Sequence, residues 1–516
     1  MRESGPGRPK ASILSRTAMG AGWMFGWRMT SRVLGLVSTL ILVRVLSPAD
    51  FGLFGLAFAV IATLEAAIAV GAESQVVRAH QTSRELYDTI FTIGAIRGVV
   101  MALLLLGLSV PAASFFGDAR LAPVMQVLAA YPLLAAASNI GAAEFGRNLD
   151  FPSIFKLLIL PRLVQIPVTL AAALALQSYW ALVIGVLTAR ALGTGLTYAL
   201  HPYRPRFSLA LWRELLGVSL WTWALSVAMA VRDRTATFAI GRVLGPHELG
   251  VFTVSVELAS LPTSEIAGPV SQAAMPGLAA ALRSPDPEAA GAAFLRILGL
   301  TLLVTLPAAL GISLVAGVIP MLVLGPAWLE AVPLIAILGA TWAGYSISLI
   351  GVALLDAKAK LRRLTMFVLC GIVLRAVAVV ALAPAYGLNG LAAGIGLAMA
   401  LEAALMVSWS LQLLQVPQWR VVEVLWRPAA ACAAMTLLLW ASGLGWAPPP
   451  PDTAAAMAEA AMAVPLGMAS YAGVLWALWW LAGRPPGAEA DMLSLLRRML
   501  PRAVRLLPFM GRHAPL

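Results

Sequence analysis

Charge is what this sequence has least of. Asp, Glu, Lys and Arg make up 12% of its 516 residues, whereas a soluble globular domain carries about a quarter. Hydrophobic residues make up 60% and the mean hydropathy is +0.87, which excludes a soluble domain. Lysine is rarer still: Lys10, Lys156, Lys358 and Lys360 are the whole complement, and arginine carries the rest of the positive charge. The two cysteines, Cys370 and Cys432, lie in separate apolar runs and read as small buried residues rather than a disulfide. The four histidines, His80, His201, His247 and His513, sit in unrelated connections and make no metal-ligand spacing. There is no GxxxxGK(S/T) loop, no HExxH, no GxSxG and no CxxC, so nucleotide hydrolysis, zinc hydrolysis, a serine nucleophile elbow and dithiol chemistry have no residues to run on. No polar connection is long enough to fold into the platform a membrane polymerase or glycosyltransferase needs for a sugar. The chain reads as no enzyme, with no cofactor and no metal. Ten-residue alternating strands are missing as well, which excludes an outer-membrane barrel.

What the sequence does have is apolar runs of about 20 residues, each long enough to cross a ~30 Å hydrocarbon core. They predict an all-α polytopic membrane protein with about 14 transmembrane helices, near 20–46, 52–73, 88–110, 121–143, 154–176, 179–200, 216–243, 249–279, 291–316, 328–353, 365–383, 388–411, 428–446 and 456–482. Pro262, Pro269 and Pro276 predict a break in the eighth. Residues 1–16 are polar and basic without a cleavable apolar core, which predicts a cytoplasmic start. With the N-terminus inside, the inner connections collect nearly all the extramembrane Arg and Lys, and the outer ones hold only Arg120. This asymmetry predicts both termini in the cytoplasm, and it accounts for the net charge of +12 without nucleic acid. The run Pro448 to Pro451 predicts a short stiff spacer. The stretch from Asp491 to Arg512, with Arg497, Arg498, Arg502 and Arg505 among Leu, Met and Phe, predicts either a basic amphipathic segment on the inner leaflet or a loose tail.

One phrase occurs twice. Arg44 to Phe54 reads RVLSPADFGLF and Arg242 to Phe252 reads RVLGPHELGVF, aligned without a gap. A repeat this long, in the same context between apolar stretches, points to two related halves. Pro48 and Pro246 mark a tight connection between helices. Gly52 and Gly250 permit a turn or a close helix approach. Because the first and seventh crossings run the same way, the halves are parallel repeats about an axis along the membrane normal.

The residues that stand out are charges inside the crossings, each of which costs at least ~2.5–3.5 kcal/mol on insertion scales and faces a partner or a cavity. Arg28 and Arg32 share one helix face. Glu65, Arg97, Arg162 and Arg190 follow, then Arg232, Asp233 and Arg234 in succession, then Glu257, Glu265, Arg375 and Glu402. Arg97, Arg162, Arg190 and Arg375 either snorkel, pair or line a cavity. The run 232–234 points in three directions, so at least one of its charges faces an interior. Arginine dominates the N-terminal half, which suits an anionic substrate, since guanidinium binds phosphate through paired hydrogen bonds. The candidate cationic lining is Arg28, Arg32, Arg97, Arg232, Asp233 and Arg234. Ion-coupling candidates are Glu65, Glu257 and Glu265, and hinge candidates are Pro262 and Pro269.

These features together resemble a known family. RVLSPADFGLFGLA at Arg44 to Ala57, RNLDF at Arg147 to Phe151, WALVIG at Trp180 to Gly185, VRDRTATFAIGRVLGPHELGVF at Val231 to Phe252 and the P-x-x-G-L-x-G turn at Pro384 to Gly390 resemble the polysaccharide transporter, or O-antigen flippase, branch of the multidrug/oligosaccharidyl-lipid/polysaccharide exporter superfamily. The resemblance implies two pseudo-symmetric six-helix lobes around a central cavity, plus two C-terminal helices. The corresponding division is a 1–16 cytoplasmic segment, a 17–200 lobe, a 201–215 cytoplasmic linker, a 216–411 lobe, 412–482 with the two additional helices, and a 483–516 basic tail. It implies movement of a polyprenyl-pyrophosphate-linked oligosaccharide across the bacterial inner membrane by alternating access. Expected partners are that substrate, membrane lipids and the polysaccharide polymerase or export machinery, with no nucleic acid. The alternatives are a peptidoglycan-precursor flippase, a multidrug exporter of the same superfamily, and a non-transporting scaffold of a polysaccharide assembly complex.

Overall fold

The computed structural model describes residues 26, 30–35, 37–68, 83–148, 150–215, 220–284, 286, 288–358 and 360–494. Among them there is no β-strand. The helices are α1 Pro48–Ala67, α2 Arg84–Phe116, α3 Leu121–Ala136, α4 Ile140–Arg147, α5 Phe151–Leu176, α6 Trp180–Leu200, α7 Leu220–Val243 and α8 Pro246–Ala281. Then follow α9 Ala289–Leu314, α10 Ala331–Ala357, α11 Leu361–Leu413, α12 Arg420–Ala441 and α13 Thr453–Leu481. A shorter apolar helix, Thr30–Leu42, precedes α1. Nine of the described helices are long and apolar enough to cross a membrane, or ten if α3 and α4, bent by 66° at their junction, are one span. This is a multi-pass helical membrane protein. The predicted count of fourteen includes stretches outside the described residues, and α11 carries two of the predicted crossings.

The chain forms two compact units, Met1–Gly250 and Val251–Leu516. In the first, α5 packs along α6, α1 along α7, and α2 along α3. The repeated phrase explains itself here. Ser47 caps α1, accepting from the Asp50 N–H at 3.3 Å while the Asp50 carboxylate accepts from the Ser47 N–H at 3.0 Å. The reciprocal pair satisfies two backbone donors at the helix start, with Pro48 at the first helical position, where its missing N–H costs nothing. Asp50 also accepts from the Tyr179 N–H at 2.9 Å, which ties α1 to the start of α6. Pro246 and Glu248 hold the matching positions at the start of α8. The two glycines of the phrase meet each other. A Cβ on Gly52 would overlap the Pro246 carbonyl, and a Cβ on Gly250 would overlap the Pro48 carbonyl. Each copy therefore presses its glycine onto the proline of the other, and only hydrogen fits at both positions.

In the second unit, α9 packs on α10 and α12, α10 on α11, and α12 on α13. Phe294, Leu298, Leu302, Ile350, Leu354 and Leu411 form one buried cluster, and Leu314, Met435, Leu439 and Tyr471 another. α11 breaks at Gly387, whose φ of 56° and ψ of −140° suit glycine alone, three residues beyond Pro384. This is the turn the proline–glycine pattern predicts.

Three expectations need comment. α8 is a continuous helix through Pro262, Pro269 and Pro276 rather than a broken one. Around Pro262, the Ser260 and Thr263 hydroxyls donate to the Glu257 and Ser260 carbonyls, so both hydroxyls are satisfied within their own helix. Cys370 is exposed on α11, whereas Cys432 is buried as expected, and both are free. A helix that turns one face to lipid can place an apolar thiol there at no cost. Residues 1–16 and most of the tail lie outside the described residues.

Candidate functional site

Several of the described mid-helix charges in the first unit meet a partner. Arg190 on α6 lies over the Tyr131 ring of α3, 5.1 Å from its centroid. Its Nε is buried and makes no hydrogen bond. Tyr131 stands edge-on to Phe58 of α1 at 5.7 Å, and it lies within electrostatic reach of both Arg190 and Glu65. A carboxylate, a phenol and a guanidinium from three helices thus share one neighbourhood. Arg162 on α5 donates from Nη1 to the Ser31 carbonyl at 3.2 Å, tying α5 to the helix that carries Arg32. Arg32 and Arg97 are half-buried, and each is engaged in an interaction.

Of the successive charges on α7, Arg232 and Asp233 close on one another at 3.1 Å, with Arg232 12% and Asp233 58% exposed. Arg234 is half-buried. The three thus differ in exposure, and Arg232 is the more buried side chain of the Arg232–Asp233 pair. Nearer the start of the same helix, Trp223 donates from its indole to the Ala67 carbonyl at 2.7 Å, fastening α7 to the end of α1. Near the repeated phrase Arg242 stacks over Phe115 at 5.4 Å. Arg28 lies outside the described residues. Glu257, Pro262 and Glu265 are half-buried on α8 in the second unit, and Pro269 lies in the same helix.

The second unit holds what sequence reasoning missed. A cavity of about 1020 Å³ runs between α9, α12 and α13, bordered by Pro262 of α8. Its walls are Leu303, Pro307, Met435, Ala463, Met468 and Tyr471 with their apolar neighbours. Val464, Met468 and Trp476 both line it and are exposed on α13, so it opens sideways along that helix. Tyr471 fixes the wall by donating to the Leu303 carbonyl at 2.7 Å. Past the end of α12, Trp446 donates its indole N–H to the Ser313 hydroxyl at 3.2 Å and its backbone N–H to the Leu314 carbonyl at 2.8 Å. Glu489, Met492 and Leu493, beyond α13, also border the cavity. Arg375, left open between pairing and cavity lining, forms a two-pronged pair with Glu402 across the two arms of α11, at 3.0 and 3.1 Å. The cavity had no signal in the sequence, because its lining residues are ordinary membrane-helix residues far apart in the chain.

A family model described as polysaccharide biosynthesis protein matches residues 41–333, more than half of the chain. The chain belongs to this family. The lipopolysaccharide biosynthesis protein WzxC of Escherichia coli (strain K12) is 23% identical to it over 335 residues, covering 63% of this chain and 67% of WzxC. The succinoglycan biosynthesis transport protein ExoT of Rhizobium meliloti (strain 1021) is 22% identical over 320 residues, 61% of this chain and 64% of ExoT. The chain thus spans about two thirds of the length of each. Among solved structures, the lipid II flippase MurJ in an inward closed conformation superimposes with a TM-score of 0.71 at 13% identity, over 90% of this chain and all of MurJ. At that identity the likeness is one of fold.

Proposed function

We propose that this family member is a flippase that carries a polyprenyl-pyrophosphate-linked oligosaccharide from the inner to the outer leaflet of the bacterial inner membrane by alternating access, with both termini in the cytoplasm. The observation that carries the reading is the set of arginines held inside the spans of the first unit, with the Arg190 Nε buried and making no hydrogen bond. A guanidinium at membrane depth costs several kcal/mol unless something anionic meets it, and pyrophosphate meets it with paired hydrogen bonds. The WzxC and ExoT names, which speak of lipopolysaccharide and succinoglycan biosynthesis, and the MurJ-like fold support the same substrate chemistry. Arg32, Arg97, Arg190, Arg232 and Arg234 are the residues we assign to the anion. Arg28 joins them on sequence grounds, and Asp233 serves as the counter-charge that orients Arg232. Glu65, beside Tyr131 and Arg190, is the preferred coupling acid over Glu257 and Glu265. The apolar cavity of the second unit suits the prenyl chain, which has no polar group to satisfy.

The MurJ likeness keeps one second reading open, transport of a peptidoglycan lipid precursor, and a single experiment separates the two. The protein is depleted in its host, and polyprenyl-linked sugars are extracted and assayed for sidedness. A polysaccharide repeat unit trapped facing the cytoplasm supports the proposal. Trapped peptidoglycan precursor favours the second reading. No change in any lipid-linked sugar rejects both.

A further inference from the structure

The chain turns back on itself after α13. Gly483 and Arg484 adopt positive φ angles of 80° and 57°, and the Trp479 indole donates to the Pro485 carbonyl at 3.1 Å. Residues 488–494 are helical and fold against α9 and α12. Ala488 is 8% exposed, and a Cβ on Gly299 would come within 3.1 Å of its methyl group and 2.8 Å of Val424. This short segment borders the apolar cavity with Met492 and Leu493, and with one carboxylate, Glu489.

Two ion pairs fasten it. Glu489 lies 3.0 Å from Arg427 of α12, with both side chains at or below 10% exposure, and Asp491 holds Arg296 of α9 in a two-pronged pair. Arg427 and Arg296 each sit seven residues into their helices, about 10 Å from the N-terminal end at 1.5 Å per residue. On the proposed orientation that is headgroup depth in the inner leaflet. The Arg427 pair is close but misaligned: its Nε is buried and makes no hydrogen bond, although the Glu489 carboxylate is beside it. A buried ion pair adds little stability over apolar residues of the same size, and an exposed one, such as that of Arg296, which is 62% exposed, adds at most about 1 kcal/mol, so stability alone does not account for the two beside an apolar cavity.

We propose that Arg427 and Arg296 form an inner-leaflet docking site for the pyrophosphate of an isoprenoid lipid whose chain enters the cavity, and that Glu489 and Asp491 are internal counter-ions that occupy the site until the lipid displaces them. The inference rests on the flippase reading for its choice of lipid. Charge count supports that choice. Two carboxylates leave and two guanidiniums are freed, which matches a pyrophosphate, with at least two negative charges, rather than the single charge of an ordinary phospholipid. The displaced segment would then swing away and open the cavity on that side.

The test uses the purified full chain in nanodiscs, with undecaprenyl pyrophosphate as probe and phosphatidylglycerol as control. The doubly neutralised variant Glu489→Gln with Asp491→Asn removes the competing charge. It should bind undecaprenyl pyrophosphate about tenfold more tightly, the effect of one charge-assisted hydrogen bond. The double variant Arg427→Met with Glu489→Met removes one pair with apolar replacements, which keeps the fold while deleting a guanidinium. It should bind about tenfold more weakly. Phosphatidylglycerol should respond to neither. Unchanged pyrophosphate affinity in both variants overturns the docking site, and so does a parallel response of phosphatidylglycerol, which would make this a general lipid contact. These outcomes are independent of host depletion. A host that traps sugar lipids while the variants bind like the parent rejects the docking site alone. A host with unaltered sugar lipids rejects the transport reading and leaves the binding result standing.

Discussion

Arg375 and Glu402 show how a membrane span carries a charge. Arg375 is 13% and Glu402 5% exposed, and neither reaches a polar surface along its own helix. Each is tolerable only because the other is there, since removing one partner of a buried pair costs ~3–5 kcal/mol. Arg375→Ala and Glu402→Ala should therefore each lower thermal stability in detergent sharply, whereas Arg375→Met with Glu402→Met should unfold near the parent temperature. If the single variants melt with the parent, the pair is not structural. Arg190 is the contrasting case. It stacks on Tyr131 and its Nε has no hydrogen bond, so its guanidinium has capacity left over. Arg190→Lys keeps the charge and loses the flat fork. Polysaccharide export should fall about tenfold, the scale of a lost charge-assisted hydrogen bond, while the amount of folded protein in the membrane stays unchanged. Unimpaired export would remove Arg190 from the anion site.

At the scale of the element, the repeated phrase is a joint built from a cap, a proline and a glycine. Gly52 and Gly250 press reciprocally on the Pro246 and Pro48 carbonyls, so a methyl group has nowhere to go at either position. Gly52→Ala and Gly250→Ala should each destabilise by at least ~1–3 kcal/mol, the usual range for overpacking. Gly94→Ala and Gly107→Ala, on α2 where nothing lies within 4 Å of the added methyl, should be neutral or stabilising by up to ~1 kcal/mol. Thermal denaturation of the four variants side by side decides it; equal effects at all four would mean that the crossing is loose. Helix capping makes a second comparison. Ser47→Ala removes one half of the capping box, typically ~1 kcal/mol. Asp50→Ala should cost more, because Asp50 also accepts from the Tyr179 N–H.

For the whole molecule, orientation is the property that charge predicts and that function depends on. Cysteine labelling of intact cells reads it directly. Cys370 and Cys432 lie within spans, one exposed on its helix and one buried, so a membrane-impermeant maleimide should leave both unlabelled. Asp118→Cys, in the connection between α2 and α3, should label from outside. Ser208→Cys, in the connection after α6, should label only once the membrane is opened. The reverse pattern would invert the protein and with it the inner-leaflet placement of Arg296 and Arg427.

The helices themselves were legible because the period and length of apolar runs are local properties of the chain. A run of about 20 apolar residues has few alternatives to a span. The turn at Gly387 was legible too, since only glycine takes that backbone, and so was the tight start of α1, from Pro48 and the acid two residues on. The partners of the buried charges were not. Arg375 meets Glu402 across a fold in one helix, Arg190 meets Tyr131 from another, and Arg427 meets Glu489 through a chain reversal after α13. Sequence spacing carries no record of such distances. The cavity of the second unit was hidden for the same reason, because empty space belongs to no residue. The sequence by itself determined the class of protein, its helical character and the doubled phrase, because hydropathy and backbone chemistry act residue by residue. Only the tertiary structure decided which charges are satisfied and where an apolar chain can lie, because both are settled by side chains from distant segments competing for the same volume.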